Sequence, residues 1–258
     1  MEFPLQAGPA CSRCGDTLDS PATDLNPAGS SLCRTCRLAP PPFVRAVAYG
    51  LYQGRMKAAI HALKYDRLHP AARGLGRMLA QAIAQLANEA PAEMLVVPVP
   101  LHRARHAERG FNQARALAKY ALEFLAKSHP QWRLELASTT LLRQRATETQ
   151  AGLTSRARRI NVRGAFVVAD DQAVTGKHIL LIDDIFTTGA TARAASQALM
   201  RAGAFSVWVA TLARARRAHD LSENSNQKKV STTTLAGIAP VAEVFEASIN
   251  SSQHQPSF

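Results

Sequence analysis

Residues 178–192, HILLIDDIFTTGATA, hold the densest chemistry in the chain. An apolar run leads straight into two adjacent carboxylates, Asp183 and Asp184. Thr187, Thr188, Gly189, Ala190 and Thr191 then form a small, hydroxyl-rich turn into an alanine-rich helical pattern. Backbone N–H groups at a helix start point outward and favour an anion, glycine lets the backbone approach closely, and threonine hydroxyls add donors. A phosphate monoester suits that turn. The carboxylates suit a different group: they accept hydrogen bonds from hydroxyls and favour Mg2+, directly or through water. A sugar phosphate with a free diol satisfies both demands, with its phosphate on the turn and its hydroxyls on the acids. No G-K-[ST] follows the turn and GxGxxG is missing, which excludes a Walker-type P-loop and a dinucleotide fingerprint.

A second constellation lies in VVPVPLHRARHAERGFNQARALA, residues 96–118. A strand pattern enters a basic loop with Arg103, Arg105, His106 and Arg109, and Gly110 opens a helix. Cations placed after a strand end face the same cleft as Asp183. Arg103 and Arg109 are the candidates for stabilising the charge on a departing pyrophosphate.

The third is Cys11, Cys14, Cys33 and Cys36, two CxxC pairs across a polar spacer. Each CxxC turn points both sulfurs the same way, so four thiolates converge on one tetrahedral Zn2+. Disulfides are the alternative, but the N-terminus lacks a basic region followed by an apolar run. No signal peptide is therefore expected, and a reducing, cytoplasmic setting is. No apolar run reaches the roughly 20 residues of a membrane helix. A peripheral contact at the inner membrane face is compatible with the formal net charge of +12, which otherwise suits nucleic acid or a phosphorylated metabolite.

These groups need a scaffold. Residues 37–43, RLAPPPF, read as a stiff linker that separates a zinc segment, 1–40, from a larger domain, 41–218. Strands are expected at 44–52, 94–100, 138–145, 164–168, 178–183 and 206–213, and helices at 55–66, 70–88, 111–127 and 190–202. In the first helix the inward spacing falls on Met56, Ile60, Leu63 and Lys64. Alternation of near-continuous apolar strands with helices predicts an α/β fold with a mainly parallel sheet flanked by helices. Residues 219–258 lose periodicity at first, recover only a weak helical stripe at Val241, Val244, Phe245 and Ile249, and read as a mobile tail.

The segment LLIDDIFTTGAT resembles the motif that binds 5-phosphoribosyl-1-pyrophosphate (PRPP) in type I phosphoribosyltransferases: an apolar run, two acids, two variable residues, then T-T-G-x-T. With the CxxC pairs, ALKYD, VPVPLHRARHAERGFNQA, RQRATETQAGLTSRARRINVRGAF and VWVATLAR, residues 10–216 resemble the ComF family. The resemblance implies a type I phosphoribosyltransferase fold, a PRPP site and an N-terminal zinc ribbon. It also implies a role in natural competence, handling incoming single-stranded DNA on the cytoplasmic side. Candidate phosphate contacts on DNA are Arg143 and Arg145, Arg156, Arg158, Arg159 and Arg163, and Arg214, Arg216 and Arg217. Two other functions fit the same residues. One is an active transferase, with Asp183, Asp184, Arg103 and Arg109 catalytic, an unidentified acceptor and Mg2+ entering with PRPP. The other is a zinc-bearing adaptor for a DNA-uptake helicase. A glutamine-dependent amidotransferase is excluded, since residue 2 is Glu2 and a glutaminase needs an N-terminal cysteine.

Overall fold

The computed structural model describes residues 9–18, 31–65, 69–145 and 162–215. The chain divides into residues 1–217 and 218–258. The second unit, which contains the expected tail, lies outside the described residues, as do Arg156, Arg158, Arg159, Arg216 and Arg217.

Five parallel strands form the central sheet: β1 (Ala46–Leu51), β2 (Glu93–Pro98), β3 (Arg133–Leu136), and two long strands, His178–Phe186 and Ser206–Arg214. Between β3 and the long strands come β4 (Leu141–Arg143) and β5 (Phe166–Val168), so the long strands are β6 and β7. The sheet order is β1-β7-β6-β2-β3. Helix α1 (Arg34–Leu38) is a short turn in the cysteine segment, and helices α2 (Gly54–Tyr65), α3 (His69–Ala84) and α5 (Gln113–Ser128) cover one face of the sheet. There Ile60, Leu63, Leu79, Ile83 and Leu117 pack on Leu180 and Ile182. Helix α3 approaches α5 closely at Gly76, where a Cβ would stand 2.4 Å from the Cβ of Tyr120. Helix α6 (Ala190–Arg201) covers the other face with Ala192, Ala195 and Leu199 against Ile179 and Leu181. Burial on both faces is why β6 and β7 read as unbroken apolar runs.

Four expectations change. The basic loop after β2 contains a helix, α4 (Arg103–Arg109), capped by His102, whose Nδ1 accepts from the amide of Ala104 at 3.3 Å. That cap at one end and the left-handed Gly110 at the other bound a short helix, although charge density alone suggested a loop. Strand β3 was not anticipated; its RLEL alternation leaves it a half-exposed edge. Strands β4 and β5 stand outside the main sheet as a two-stranded antiparallel ribbon. They are three residues each, and Leu142 is 44% exposed, too open for a central strand. Finally, the expected linker does not hold the cysteine segment apart. Cys11, Cys14, Leu18, Cys33 and Cys36 share a core with Phe43, Ala46, Val97 and Phe186. The amide of Ala46 donates to the carbonyl of Arg13 at 2.7 Å. So short a segment lacks apolar residues for a core of its own and borrows the sheet's.

Candidate functional site

Strand order reverses between β2 and β6, and in an open parallel sheet that switch point leaves a crevice beyond the strand ends. Proline ends β2: the last paired residues are Pro98 and Ile182, followed by one bond from the amide of Val99 to the carbonyl of Ile182 at 2.8 Å. Strand β6 runs on to Phe186 beside β7. Asp183 and Asp184 therefore lie within the strand, not at its tip as expected, yet beyond the end of its pairing with β2. That offset opens a cleft of about 440 Å3 in front of them.

The cleft floor is Asp183, Asp184 and the turn Thr187, Gly189, Ala190 and Thr191. Thr188 is not among the lining residues; its hydroxyl accepts from the amide of Ala190 at 3.4 Å and so caps the turn from within. Gly189 has φ +74°, and a Cβ there would stand 2.6 Å from Cζ of Phe186. No other residue type meets both conditions. Across from the acids stand Lys64 from α2, Arg105 and Arg109 from α4, Gln113 from α5 and Arg143 from β4. Arg105 and Arg109 are one helical turn apart and share a face. Arg103 is exposed and does not line the cleft. Asn112 fixes α5: its Oδ1 accepts from the amide of Ala114 at 2.9 Å and its Nδ2 donates to the carbonyl of Val99 at 3.0 Å, which ties the helix start to the end of β2.

Lys64 answers the question of how two adjacent carboxylates coexist here. Its Nζ is 2.5 Å from Oδ2 of Asp184, with both side chains largely buried. Burial works against both charges, but the mutual charge and hydrogen bond outweigh it. They hold the Asp184 carboxyl below its ordinary range and the Lys64 ammonium above its own. Among the described residues no cation pairs with Asp183, whose Oδ1 accepts from the amide of Asp184 at 2.9 Å. Burial first, and the charge of Asp184 second, push it up to about 8. Four basic side chains, Lys64, Arg105, Arg109 and Arg143, therefore face two acids in the cleft, and only Asp184 of the two is clamped by a cation. The Nε2 of Gln113 reaches toward Oδ2 of Asp184 at 3.5 Å, and its buried Oε1 has no hydrogen-bond partner among the described residues.

The sequence reading missed Lys64, Gln113 and the place of Arg105. Lys64 did leave a signal. It falls on the inward stripe of α2, and a lysine there must find a counter-charge. Arg143 and Arg214, candidates for DNA contact that could equally have been surface or cleft residues, are both drawn into the protein. Arg143 lines the cleft, 5.3 Å from the Phe166 ring, and burial lowers its pKa, with Arg105 adding to the effect. Arg214 is 3% exposed. Arg145 and Arg163 are on the surface, joined by a bond from the guanidinium of Arg145 to the carbonyl of Arg163 at 2.9 Å.

The four cysteine Sγ atoms lie within 4.8 Å of one another, and all four residues are buried and free. Sγ of Cys14 and Cys33 are 3.7 Å apart, far beyond a disulfide bond and close to the roughly 3.8 Å edge of a tetrahedron with Zn–S of about 2.3 Å. Hydrogen bonding within the group, led by Cys11, raises the Cys36 thiol. The donor set fits a structural Zn2+, which would hold the thiolates together.

With a parallel sheet, a switch-point cleft and an acid pair beside a phosphate-type turn, this is a phosphoribosyltransferase-like α/β protein; a phosphoribosyl transferase domain model matches residues 107–244. DNA utilization protein YhgH of Salmonella typhi is 34% identical over 206 residues, 79% of this chain and 83% of that one. The chain belongs to the ComF family. Competence protein F of Haemophilus influenzae is 28% identical over 214 residues, 82% of this chain and 87% of that one. Competence protein ComFC of Bacillus subtilis is 35% identical over 109 residues, 42% of this chain and 39% of that one. Among the described residues no helix is long and apolar enough to cross a membrane.

Proposed function

We propose that the cleft binds PRPP and that the protein acts in natural competence on incoming single-stranded DNA in the cytoplasm. The observation that carries the PRPP reading is the turn at Gly189, held open by the Phe186 ring directly after the acid pair. The 5′-phosphate sits on the amides and hydroxyls of residues 187–191, the ribose hydroxyls on Asp183 and Asp184, and the pyrophosphate against Arg105 and Arg109. Mg2+ takes oxygen ligands; Asp183 is the carboxyl that Lys64 does not clamp and fits that role by donor type. Bound there, the ion would offset pyrophosphate charge.

Calorimetric titration with Mg2+ and PRPP tests this. The wild type is expected to bind, and the double variant Asp183→Asn, Asp184→Asn to lose at least about tenfold in affinity, since each lost charge-assisted hydrogen bond is worth about 1.5–3 kcal/mol. Equal affinity in the two proteins would discard the assignment of the acids to the sugar.

A pH dependence follows from Asp183. Its proton must leave before the carboxylate can accept a hydroxyl or take a cation. Between pH 7 and 9 the ionised fraction of a group with pKa near 8 rises about tenfold. Affinity, corrected for the ligand's own titration, is expected to rise by the same factor. The sign for stability is opposite: the folded state keeps a proton that the unfolded chain releases near pH 4, so this group lowers stability as pH rises from about 4 to 8. A flat binding profile would mean that Asp183 stays protonated in the complex.

The family kinship and the exposed Arg145 and Arg163 support the DNA reading. Its test is binding of a single-stranded oligonucleotide at rising salt: a steep loss of affinity is expected, and no binding at low salt would count decisively against it. Arginines facing the pyrophosphate side favour a second reading, an active transferase, in which the leaving charge meets Arg105 and Arg109. Acceptor-dependent pyrophosphate release would establish it. The zinc segment could also serve a DNA-uptake helicase; deletion of residues 1–40 that abolished transformation but spared PRPP and DNA binding would favour that adaptor role.

A further inference from the structure

One arginine joins the cysteine cluster to the phosphate turn. Arg214 closes β7, in register with Phe186 of β6 and Leu51 of β1. Its guanidinium donates to the carbonyl of Cys14, lies 3.6 Å from Sγ of Cys14 and pairs with Asp16 at 3.1 Å. The same group lies over the Phe186 ring, 4.6 Å from its centroid. That ring is what a Cβ at position 189 would strike, so it forms the support of the turn. Phe43 packs edge-on against it at 6.1 Å. The contacts run unbroken from Cys14 through Arg214 and Phe186 to Gly189, although Cys14 and Arg214 are 200 residues apart in sequence.

Chemistry explains why an arginine fits here. Four thiolates around one Zn2+ leave a net charge of about −2, which a buried neighbouring cation offsets. A planar guanidinium serves the knuckle with its edge and an aromatic ring with its face, which a lysine cannot do.

We propose that Arg214 is a positioning residue that couples metal occupancy of the cysteine cluster to sugar-phosphate binding on the turn. Loss of the metal leaves four crowded thiols without a common partner. The knuckle carbonyl and sulfur then leave the guanidinium, and its Nε already has no hydrogen-bond partner among the described residues. The arginine shifts, Phe186 loses its stacked cation, and the turn loses its support. Linkage makes the coupling reciprocal: the factor by which metal strengthens ligand binding is the factor by which ligand strengthens metal binding. The proposal rests on the reading of the turn as the 5′-phosphate site.

Two measurements on the full chain test it. Mg-PRPP affinity is compared by calorimetry between zinc-loaded protein and protein stripped under reducing conditions. Zinc transfer to a chromophoric chelator is timed with and without saturating Mg-PRPP. About tenfold weaker binding after stripping is expected, with zinc release slowed when ligand is present; the equal factor belongs to the two affinities and not to the rate. Release is read on folded, zinc-loaded protein, so unfolding of the stripped chain cannot imitate it. In Arg214→Lys and in Phe186→Leu, zinc is still held but ligand no longer slows its release. Zinc release indifferent to ligand in the wild type, or slowed equally in both variants, overturns the coupling alone. Failure of the zinc-loaded wild type to bind Mg-PRPP overturns the sugar-phosphate reading and the coupling with it.

Discussion

Alanine at position 189 is expected to weaken Mg-PRPP binding by roughly two orders of magnitude. Two independent penalties act. A left-handed φ of +74° costs a residue with a Cβ about 1–2 kcal/mol. The new carbon would also stand 2.6 and 2.9 Å from ring atoms of Phe186, and forced overpacking of this kind costs about 1–3 kcal/mol. Both penalties are relieved by moving the turn, and moving the turn withdraws the amides that hold the phosphate. Asparagine separates the two terms. It tolerates the left-handed conformation but keeps the clash, so Gly189→Asn should bind nearly as poorly as Gly189→Ala. Calorimetry reads the affinity and thermal melting confirms the fold. Near-normal binding by the asparagine variant would assign the whole effect to backbone conformation and leave Phe186 without a part in it.

The second large effect is expected at Lys64. Replacing it with methionine preserves length and removes the charge. Asp184 is then a buried carboxylate beside another acid, with its closest cation gone, and breaking a buried pair in this way costs about 3–5 kcal/mol. Urea denaturation at pH 7 measures it. The variant Lys64→Met, Asp184→Asn should recover much of the loss, because no unpaired charge remains. The pair has its own pH window. The depressed Asp184 contributes stability above its unfolded pKa near 4 and loses it as pH falls through the folded value. The raised Lys64 contributes below about pH 10 and loses its part as pH climbs through the folded value. Wild-type stabilisation from this pair thus spans about pH 4 to 10. In Lys64→Met both acids favour protonation in the folded state, so stability should fall as pH rises from 5 to 8. A loss that did not depend on pH, with no recovery in the double variant, would mean that Lys64 acts by packing alone.

The fold was legible where its physical causes are local. Apolar runs buried on both faces announced β2, β6 and β7, and helical stripes announced α2, α3 and α5. The edges were harder. Strand β3 exists because β2 offers it a hydrogen-bonding partner, and its RLEL pattern carries little apolar signal. The short β4 and β5 look like sheet strands in sequence because composition cannot say which partner a strand will find. Helix α4 was hidden by its charge, since five of its seven residues, RARHAER, are charged or histidine and suit either a solvated loop or a solvated helix.

The chemistry divides along the same line. By itself the sequence determined the acid pair, the small-residue turn and the four cysteines, because each is a local motif in which neighbours a few positions apart act together. Only the tertiary structure decided which cations serve them. Lys64, Arg105, Arg109 and Arg143 reach one cleft from three elements, α2, α4 and β4, with α4 supplying two, while Arg103 does not line it. Arg214, one of a run of surface-like arginines in sequence, became the buried link between Cys14 and Phe186. A charged side chain in a sequence shows only that it needs water or a partner. Which of the two it receives depends on what other strands and helices bring within a few ångströms, and that is set by how the whole sheet is assembled.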